Sequence, residues 1–223
     1  MKPRPEPENP RGKRPIFPVK ILCVADEVDL LVYSSSIRER FGGTDLILSA
    51  GDLPDEYLGF IASMLNRPLV SVAGNHDHAG DEPSLGRLNF AIRKEAGLSI
   101  LGIPGSMLYS RGPNQFSDLY MTLRLLRLAP RLALRRLLVG RGVDIVLAHA
   151  PPRDAGDAQD LPHRGFSAFR WLIKLAKPLY FIHGHVHLYD VRESRERGLD
   201  STRILNVYGH RIIDLGGEDT CLP

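Results

Sequence analysis

Long apolar runs and cysteine pairs are scarce in this sequence of 223 residues. No run approaches the roughly 20 apolar residues that a membrane helix requires, so no membrane association is expected. The two cysteines, Cys23 and Cys221, have neither the number nor the spacing of a disulfide framework or a zinc ribbon. The N-terminus lacks the apolar segment of a secretory signal, and we therefore expect a cytoplasmic protein.

A strong charge of one sign is also missing from most of the chain. The formal net charge is +3, and residues 1–20 hold six basic against two acidic side chains, which leaves the remainder at −1. A near-neutral body argues against a dedicated nucleic-acid-binding surface. Six prolines among residues 1–18 predict a disordered basic arm, followed by one domain at 19–216 and a flexible tail at 217–223.

Short apolar runs alternate with helix-like segments along the chain. Apolar runs predict strands, and spacings of three and four between apolar residues predict helices. Strand–helix alternation is typical of an α/β layer with parallel strands, and the last segments suggest antiparallel closure of a sheet. Strands are predicted at 19–25, 45–50, 68–73, 100–103, 143–147, 179–182, 188–193, 203–208 and 211–215, and helices at 29–41, 55–66, 85–96 and 167–177.

The segment 118–140 is rich in leucine and arginine. Pro130 interrupts it, so two helices are predicted, with Pro130 near the first turn of the second. Arginines at 124, 127, 131 and 135 recur every three or four residues. They form either a solvated face above a leucine-rich core or a basic surface for a partner or an anionic substrate. The segment is also suited to pack against a second copy of the chain in a homodimer.

Polar side chains follow five of the predicted strands. Each alone is explained by a hydrogen-bonded turn, but several imidazoles with two carboxylates and an amide at the carboxyl ends of strands indicate a metal site. These ligand types suit Mn, Fe, Zn, Co or Ni. Two adjacent ions about 3.5–4 Å apart, bridged by a carboxylate, are a known device for cleaving phosphate esters. The segments are Asp26, Gly51-Asp52, Gly74-Asn75-His76-Asp77, His149 and Gly184-His185-Val186-His187.

In this order the five segments resemble the calcineurin-like metallophosphoesterase superfamily over nearly all of residues 19–215. The resemblance implies a four-layer αββα sandwich of two mixed β-sheets flanked by helices. It also implies a metal-bound hydroxide that attacks a phosphomonoester or a phosphodiester, either a small molecule or a nucleotide, while His76, oriented by Asp77, acts as general acid. One ion would be bound by Asp26, Asp52 and His187, and the other by Asp52, Asn75, His149 and His185.

The first of these segments departs from the family pattern. The pattern begins Asp-x-His, whereas this chain has Asp26-Glu27-Val28. Val28 cannot bind a metal, so the first ion loses an imidazole. Glu27 or Asp29 could replace it, a water molecule could fill the position, or the first site could be weakly occupied. The last outcome leads to an alternative function, a low-turnover or inactive member of the fold that acts as a metal-containing binding or scaffold module.

Two further functional assignments rest on less. His163 and Arg164, in the loop after His149, are candidate substrate-binding residues, because arginine suits bidentate recognition of phosphate. An ordinary surface loop is the alternative. A nuclease is disfavoured by the near-neutral body of the chain.

Overall fold

The structure, a computed structural model, describes residues 18–77, 86–188 and 194–216. The predicted tail, His78, most of the predicted strand at 188–193 and the predicted arm except Pro18 lie outside the described residues. In chain order the elements are β1 (Val19–Ala25), α1 (Ile37–Phe41), β2 (Leu46–Ser49), α2 (Asp55–Leu65), β3 (Leu69–Val72), β4 (Arg87–Leu88), β5 (Ala91–Glu95), β6 (Leu98–Ile103), β7 (Ser106–Met107), β8 (Gln115–Phe116), α3 (Asp118–Val139), β9 (Ile145–Ala148), α4 (Ser167–Ala176), β10 (Tyr180–His183), β11 (Glu196–Leu199), β12 (Thr202–Asn206) and β13 (Gly209–Leu215).

Two mixed sheets form the centre of the molecule. The first has the order β13-β1-β2-β3-β4, with β13 antiparallel to β1 and the remaining neighbours parallel. The second has the order β11-β12-β10-β9-β6-β5, with a parallel centre and antiparallel strands at both edges. A short parallel pair, β7-β8, is separate from both. The carboxyl ends of the parallel strands are the positions at which a site is expected.

Alternate side chains of the buried strands enter different hydrophobic layers. In β1, Ile21 and Cys23 join a cluster that includes residues of both sheets, whereas Leu22 and Val24 pack with α1 and α2. A third cluster packs the opposite face of the second sheet against α3 and α4. Period-two alternation places successive side chains on opposite faces. The predicted four-layer αββα sandwich is therefore confirmed.

The helix predicted at 85–96 is wrong. This part of the chain forms β4 and β5, and β5 pairs antiparallel with β6. Ala96 and Gly97 make the tight connection with φ of 48° and 77°, the left-handed region that suits such hairpins. The pairing with β6 overrides the local preference, because strand formation depends on neighbouring strands more than on propensity.

Two other helix predictions need correction. The helix predicted at 29–41 is limited to Ile37–Phe41, since the carboxylate of Asp29 accepts the N–H of Leu31 in a local turn. The two helices predicted in 118–140 are one helix, Asp118–Val139, that continues through Pro130. Pro130 and Leu126 are both exposed, so the carbonyl that loses its backbone partner at Pro130 lies on the side of the helix that meets water.

The outer face of α3 presents leucines as well as arginines. Its core-facing side chains are Met121, Leu125 and Leu132, and six leucines are exposed elsewhere on the helix, at 119, 123, 126, 134, 137 and 138. The homodimer remains a prediction. Within the described ranges, no helix combines the length and the apolar character needed to cross a bilayer.

Candidate metal centre

Residues from the ends of five strands meet at one edge of the sandwich. Asp26, Asp52 and Asn75 follow β1, β2 and β3 of the first sheet, and His149 and His185 follow β9 and β10 of the second. Asp26, Asp52 and His185 border a cleft of about 290 Å³. Its lining side chains include Asp26, Asp52, His76, His163, His185 and His187. The structure thus brings the sequence-predicted residues of both sheets to a common place.

The backbone at these strand ends adopts unusual conformations. Asp26, Asp52 and His185 have φ of 64°, 56° and 66°, in the left-handed region that residues with a Cβ rarely occupy. Such a conformation costs of order 1–3 kcal/mol and persists only where its surroundings impose it. It turns each side chain out of the strand direction, toward the cleft. Backbone strain repeated at three predicted ligands is a mark of a functional site.

Glycines allow these turns to approach one another. A Cβ on Gly74 would lie 2.0 Å from Oδ1 of Asp52, and one on Gly184 would lie 2.3 Å from Oδ2 of Asp26. The glycines noted in the sequence before Asn75 and His185 are therefore required by close packing against a predicted ligand.

His149 is at the centre of the site and is fully buried. Its Nδ1 lies 2.7 Å from the carbonyl oxygen of Ala50, to which it donates. Its Nε2 lies 2.9 Å from Oδ1 of Asn75 and 3.2 Å from Oδ2 of Asp52. In the neutral tautomer, three lone-pair-bearing atoms therefore converge, and they repel one another unless a proton or a cation lies between them.

This donor set suits a metal ion. Asp52, His149 and His185 each offer one ligand atom, and these atoms all lie within 4.8 Å of one another. Imidazole, carboxylate and amide oxygen together are typical ligands of borderline divalent cations. The convergence of acceptors around Nε2 of His149 gives an electrostatic reason for a cation at this point. The residues present thus fit the divalent metal that the sequence pattern implies.

Electrostatic coupling shifts the protonation of these side chains. Burial opposes protonation of His149, but the carboxylate of Asp52 outweighs it and raises the pKa of His149 to about 9. Burial likewise opposes ionisation of Asp52, yet His149 lowers the pKa of that carboxyl to about 2. Without a metal, a proton shared between them satisfies the pair. Metal binding must displace that proton, because imidazole binds metals in its neutral form.

The His185 ring is neutral and held in one tautomer, unlike that of His149. Its Nε2 donates to the carbonyl oxygen of Pro162 at 2.8 Å, so Nδ1 is left as the nitrogen with a lone pair. Burial and the nearby charge of His149 lower the pKa of His185 to about 3, so the ring is neutral at pH 7. A second partner at the other ring nitrogen, which fixes the tautomer, is usual for histidines that bind metals.

Asp26 links the two sheets. Both of its carboxylate oxygens accept the backbone N–H of His185, at 3.0 and 2.9 Å. Burial raises the pKa of Asp26, and the histidines around it act in the opposite direction. A cation in the cleft would neutralise the negative charge of this carboxylate.

The stretch after β3 is organised around two carboxylates. The backbone N–H of His76 donates to Oδ1 of Asp52 at 2.8 Å, and the His76 side chain is exposed on the cleft. The buried Asp77 carboxylate accepts the backbone N–H groups of Gly74 and Asp52, at 2.7 and 3.1 Å. Asp77 therefore binds the two turns together. Its role in orienting His76 stays a prediction.

The other predicted residues lie at the rim. His187 is exposed, and its ring centroid is 4.8 Å from that of Tyr208. His163 lines the cleft, whereas Arg164 is exposed and is not among the described residues that line it.

Position 28 does not face the cleft. Val28 packs against the hydrophobic cluster of α1, α2 and the first sheet. Asp29, a candidate replacement, contacts His210, with 2.5 Å between Oδ2 and Nδ1. Glu27 is exposed and is not among the residues that line the cleft. Neither Glu27 nor Asp29 therefore takes the place of the imidazole that is missing at position 28.

Two residues of the site were missed by sequence reasoning. Nδ2 of Asn75 donates to the hydroxyl of Tyr109 at 3.2 Å, and Tyr109 lines the cleft. Nδ2 of Asn114 donates to the carbonyl oxygens of Gly74 and Asp77, at 3.0 and 3.1 Å. Both lie in the loop between β7 and β8. Their place after a strand end was the available signal, but no imidazole or carboxylate marked it.

Comparisons with known proteins agree with this geometry. A family model described as calcineurin-like phosphoesterase matches residues 20–189. No curated protein matches the sequence significantly. The protein TT1561 of Thermus thermophilus has a similar structure, with a TM-score of 0.60 and 15% identity, over 86% of this chain and 90% of that one. At this identity the likeness shows the fold alone.

Two further solved structures are more distant. One is described as a novel archaeal phosphodiesterase, with a TM-score of 0.43, 14% identity, and coverage of 88% of this chain and all of the other. The other is Vacuolar Protein Sorting 29 from Cryptosporidium parvum, with a TM-score of 0.43, 14% identity, and coverage of 86% and 74%.

Proposed function

Because this chain belongs to the calcineurin-like phosphoesterase family, we propose that it is a metal-dependent enzyme that hydrolyses a phosphomonoester or a phosphodiester. The observation that carries the proposal is the convergence of Asp52, Asn75 and His149 on one point, with ligand atoms 2.9 and 3.2 Å from Nε2 of His149. Three acceptor atoms in such contact, two of them on buried residues, need a positive charge between them.

The proposed ligands divide into two overlapping sets. Asp52 belongs to both, since one of its carboxylate oxygens accepts the N–H of His76 and the other faces His149. One set adds Asn75, His149 and His185, and the other adds Asp26 and His187. Divalent cations of the Mn, Fe, Zn, Co or Ni type would neutralise charge on the phosphate and lower the pKa of water so that a nucleophile is available at neutral pH.

His76 is proposed to protonate the leaving group. Its side chain is exposed on the cleft while its backbone is held by Asp52. A positioned general acid contributes typically about 10²–10⁴-fold to the rate. Asn114 and Asp77 hold the backbone from which His76 projects. These contacts support a fixed position of the acid relative to the phosphate.

The walls of the cleft receive the rest of the substrate. Tyr109 and His163 border it from the loops that follow β7 and β9. Together with Arg164 at the rim, His163 is a candidate for contacts with the phosphate ester. The donors available there suit phosphate oxygens, and the identity of the leaving group is open to a small molecule or a nucleotide.

Metal-dependent hydrolysis is the direct test. The purified chain is assayed with Mn²⁺ on p-nitrophenyl phosphate and bis-p-nitrophenyl phosphate, and then on nucleotides and phosphopeptides. Asp52→Asn and His149→Ala should lose at least about 10²-fold in kcat/KM, because each removes or weakens a proposed metal ligand. His210→Ala, which removes an imidazole that contacts Asp29, is the matched control and should retain activity. The proposal would be refuted if the metal-loaded wild-type protein hydrolysed none of these substrates.

A scaffold function is the second candidate, and Val28 is the observation that favours it. With Val28 in a hydrophobic cluster, the first set of ligands is short of an imidazole. A protein of this type would bind metal at the second set but show no turnover. Elemental analysis separates the two candidates, since an active two-metal enzyme holds near two ions per chain.

A further inference from the structure

His163 lies where an additional ligand for the first ion would be useful. It lines the cleft together with Asp26, Asp52 and His187, the three residues proposed for that ion. Its ring centroid is 5.2 Å from that of His185 and 6.3 Å from that of His187. Two imidazoles bound to one ion at about 2.1 Å have centroids about 4.5–6.5 Å apart, over bond angles from 90° to 180°. The 6.3 Å between the centroids of His163 and His187 lies within this range, near its wide-angle end.

A carboxylate orients the His163 ring. Nδ1 of His163 lies 2.6 Å from Oδ2 of Asp160. When Nδ1 donates to this carboxylate, the lone pair of the neutral ring is on Nε2. Carboxylate–histidine pairs of this kind fix the tautomer and raise the basicity of histidines that bind metals. An arginine or a hydroxyl suffices for phosphate contact, whereas this pair prepares a ligand nitrogen.

The loop that carries His163 is braced against the site. The carbonyl oxygen of Pro162 accepts Nε2–H of His185 at 2.8 Å. The carbonyl oxygen of His163 accepts the N–H of Ala158 at 3.2 Å. The N–H of Gly165 donates to Oδ2 of Asp157 at 3.0 Å. Contacts on both sides of His163 therefore tie its backbone to a proposed ligand and to the loop itself.

We propose that His163, positioned by Asp160, supplies to the first ion the imidazole that Val28 does not. This inference rests on the proposed metal-dependent function. It replaces a ligand from the turn after β1 with one from the loop after β9, on the opposite sheet. The first site then has two carboxylates and two imidazoles, Asp26, Asp52, His163 and His187, a complete set for a borderline divalent cation.

Metal binding, measured without substrate, tests this. Apo-protein is titrated with Mn²⁺ by calorimetry, and bound metal is counted by elemental analysis, for wild type, His163→Ala, Asp160→Asn and His210→Ala. Wild type should bind two ions per chain. Asp160→Asn should weaken one of them about 10–100-fold, the usual effect of losing a partner of a ligand histidine. His163→Ala should weaken the same ion further and leave the other unchanged.

His210 provides the control variant for this experiment. His210 also contacts an aspartate through Nδ1, but it is not among the residues that line the cleft, so His210→Ala should bind metal as wild type does. If His163→Ala binds two ions with wild-type affinity, the inference is overturned. A higher KM of that variant for phosphate esters would not rescue it, since His163 would then contact only substrate. Wild type that binds no metal would instead refute the proposed function itself.

Discussion

A single methyl group added at Gly184 should weaken metal binding at the first site and leave the second site intact. Gly184 lies between β10 and His185, against the turn after β1. A Cβ at this position would be 2.3 Å from Oδ2 of Asp26 and 2.6 Å from Cβ of Ala25. Ordinary van der Waals contact begins at about 3.4 Å. Gly184→Ala must therefore displace the Asp26 carboxylate or the backbone by about 1 Å.

The expected size of the effect follows from that displacement. Overpacking of a well-packed region costs typically about 1–3 kcal/mol in the free energy of unfolding. Asp26 would also lose its alignment with the N–H of His185, from which both of its oxygens accept. Metal–ligand distances tolerate deviations of only about 0.2 Å. The ion assigned to Asp26 should therefore bind much more weakly, while the ion at Asn75 and His149 is retained.

Urea denaturation and Mn²⁺ titration of the same samples measure both effects. Gly43→Ala is the matched control, because its φ is not in the left-handed region and nothing lies within 4 Å of the position that an added Cβ would take. The control should bind two ions and unfold like wild type. If Gly184→Ala binds two ions with unchanged affinity and is as stable as the control, the packing argument for this glycine is refuted.

Three further predictions concern stability, each measured by denaturation against wild type. Gly59→Ala, within α2 and with nothing within 4 Å of an added Cβ, should raise the free energy of unfolding by about 0.5–1 kcal/mol, and no gain would contradict it. Ser117→Ala removes the side chain that accepts the N–H of Tyr120 at the start of α3 and should cost about 1 kcal/mol, whereas Ser117→Asp should not. The hydrogen bond from Arg203 lowers the pKa of Glu196, so the contribution of this pair to stability is present above the ordinary value of 4.5 and is lost as pH falls. Because the pair is partly exposed, wild type should lose more stability than Glu196→Gln from pH 7 to 3, by up to about 1 kcal/mol, and parallel profiles would contradict this.

The sequence predicted the strands that carry the site and the ligand types at their ends. Val19–Ala25, Leu46–Ser49 and Ile145–Ala148 are strands in the structure, because a buried parallel strand needs a continuous apolar run that is visible locally. The polar residues directly after such runs could be predicted to meet, since parallel strands bring their carboxyl ends to one edge. Fold and family followed from this pattern.

Elements and contacts that depend on partners distant in the chain were harder to predict from the sequence. Residues 91–95 have no decisive local pattern, and only their pairing with β6 makes them a strand. Tyr109 and Asn114 support the stretch at 74–77 from a loop remote in sequence. Hydrogen bonds to a carbonyl or an amide do not require a distinctive residue type, so the residue types at positions 109 and 114 did not mark them as part of the site.

The metal site shows the same division between sequence and structure. The sequence alone determined that an imidazole is missing at position 28 and which residue types remain for metal ligation. Only the tertiary structure decided that Val28 packs into a hydrophobic cluster and that His163, 135 positions further along the chain by its number, lines the cleft. The physical reason is that ligand chemistry is a property of single residues, whereas the distance between two side chains is set by the packing of the two sheets.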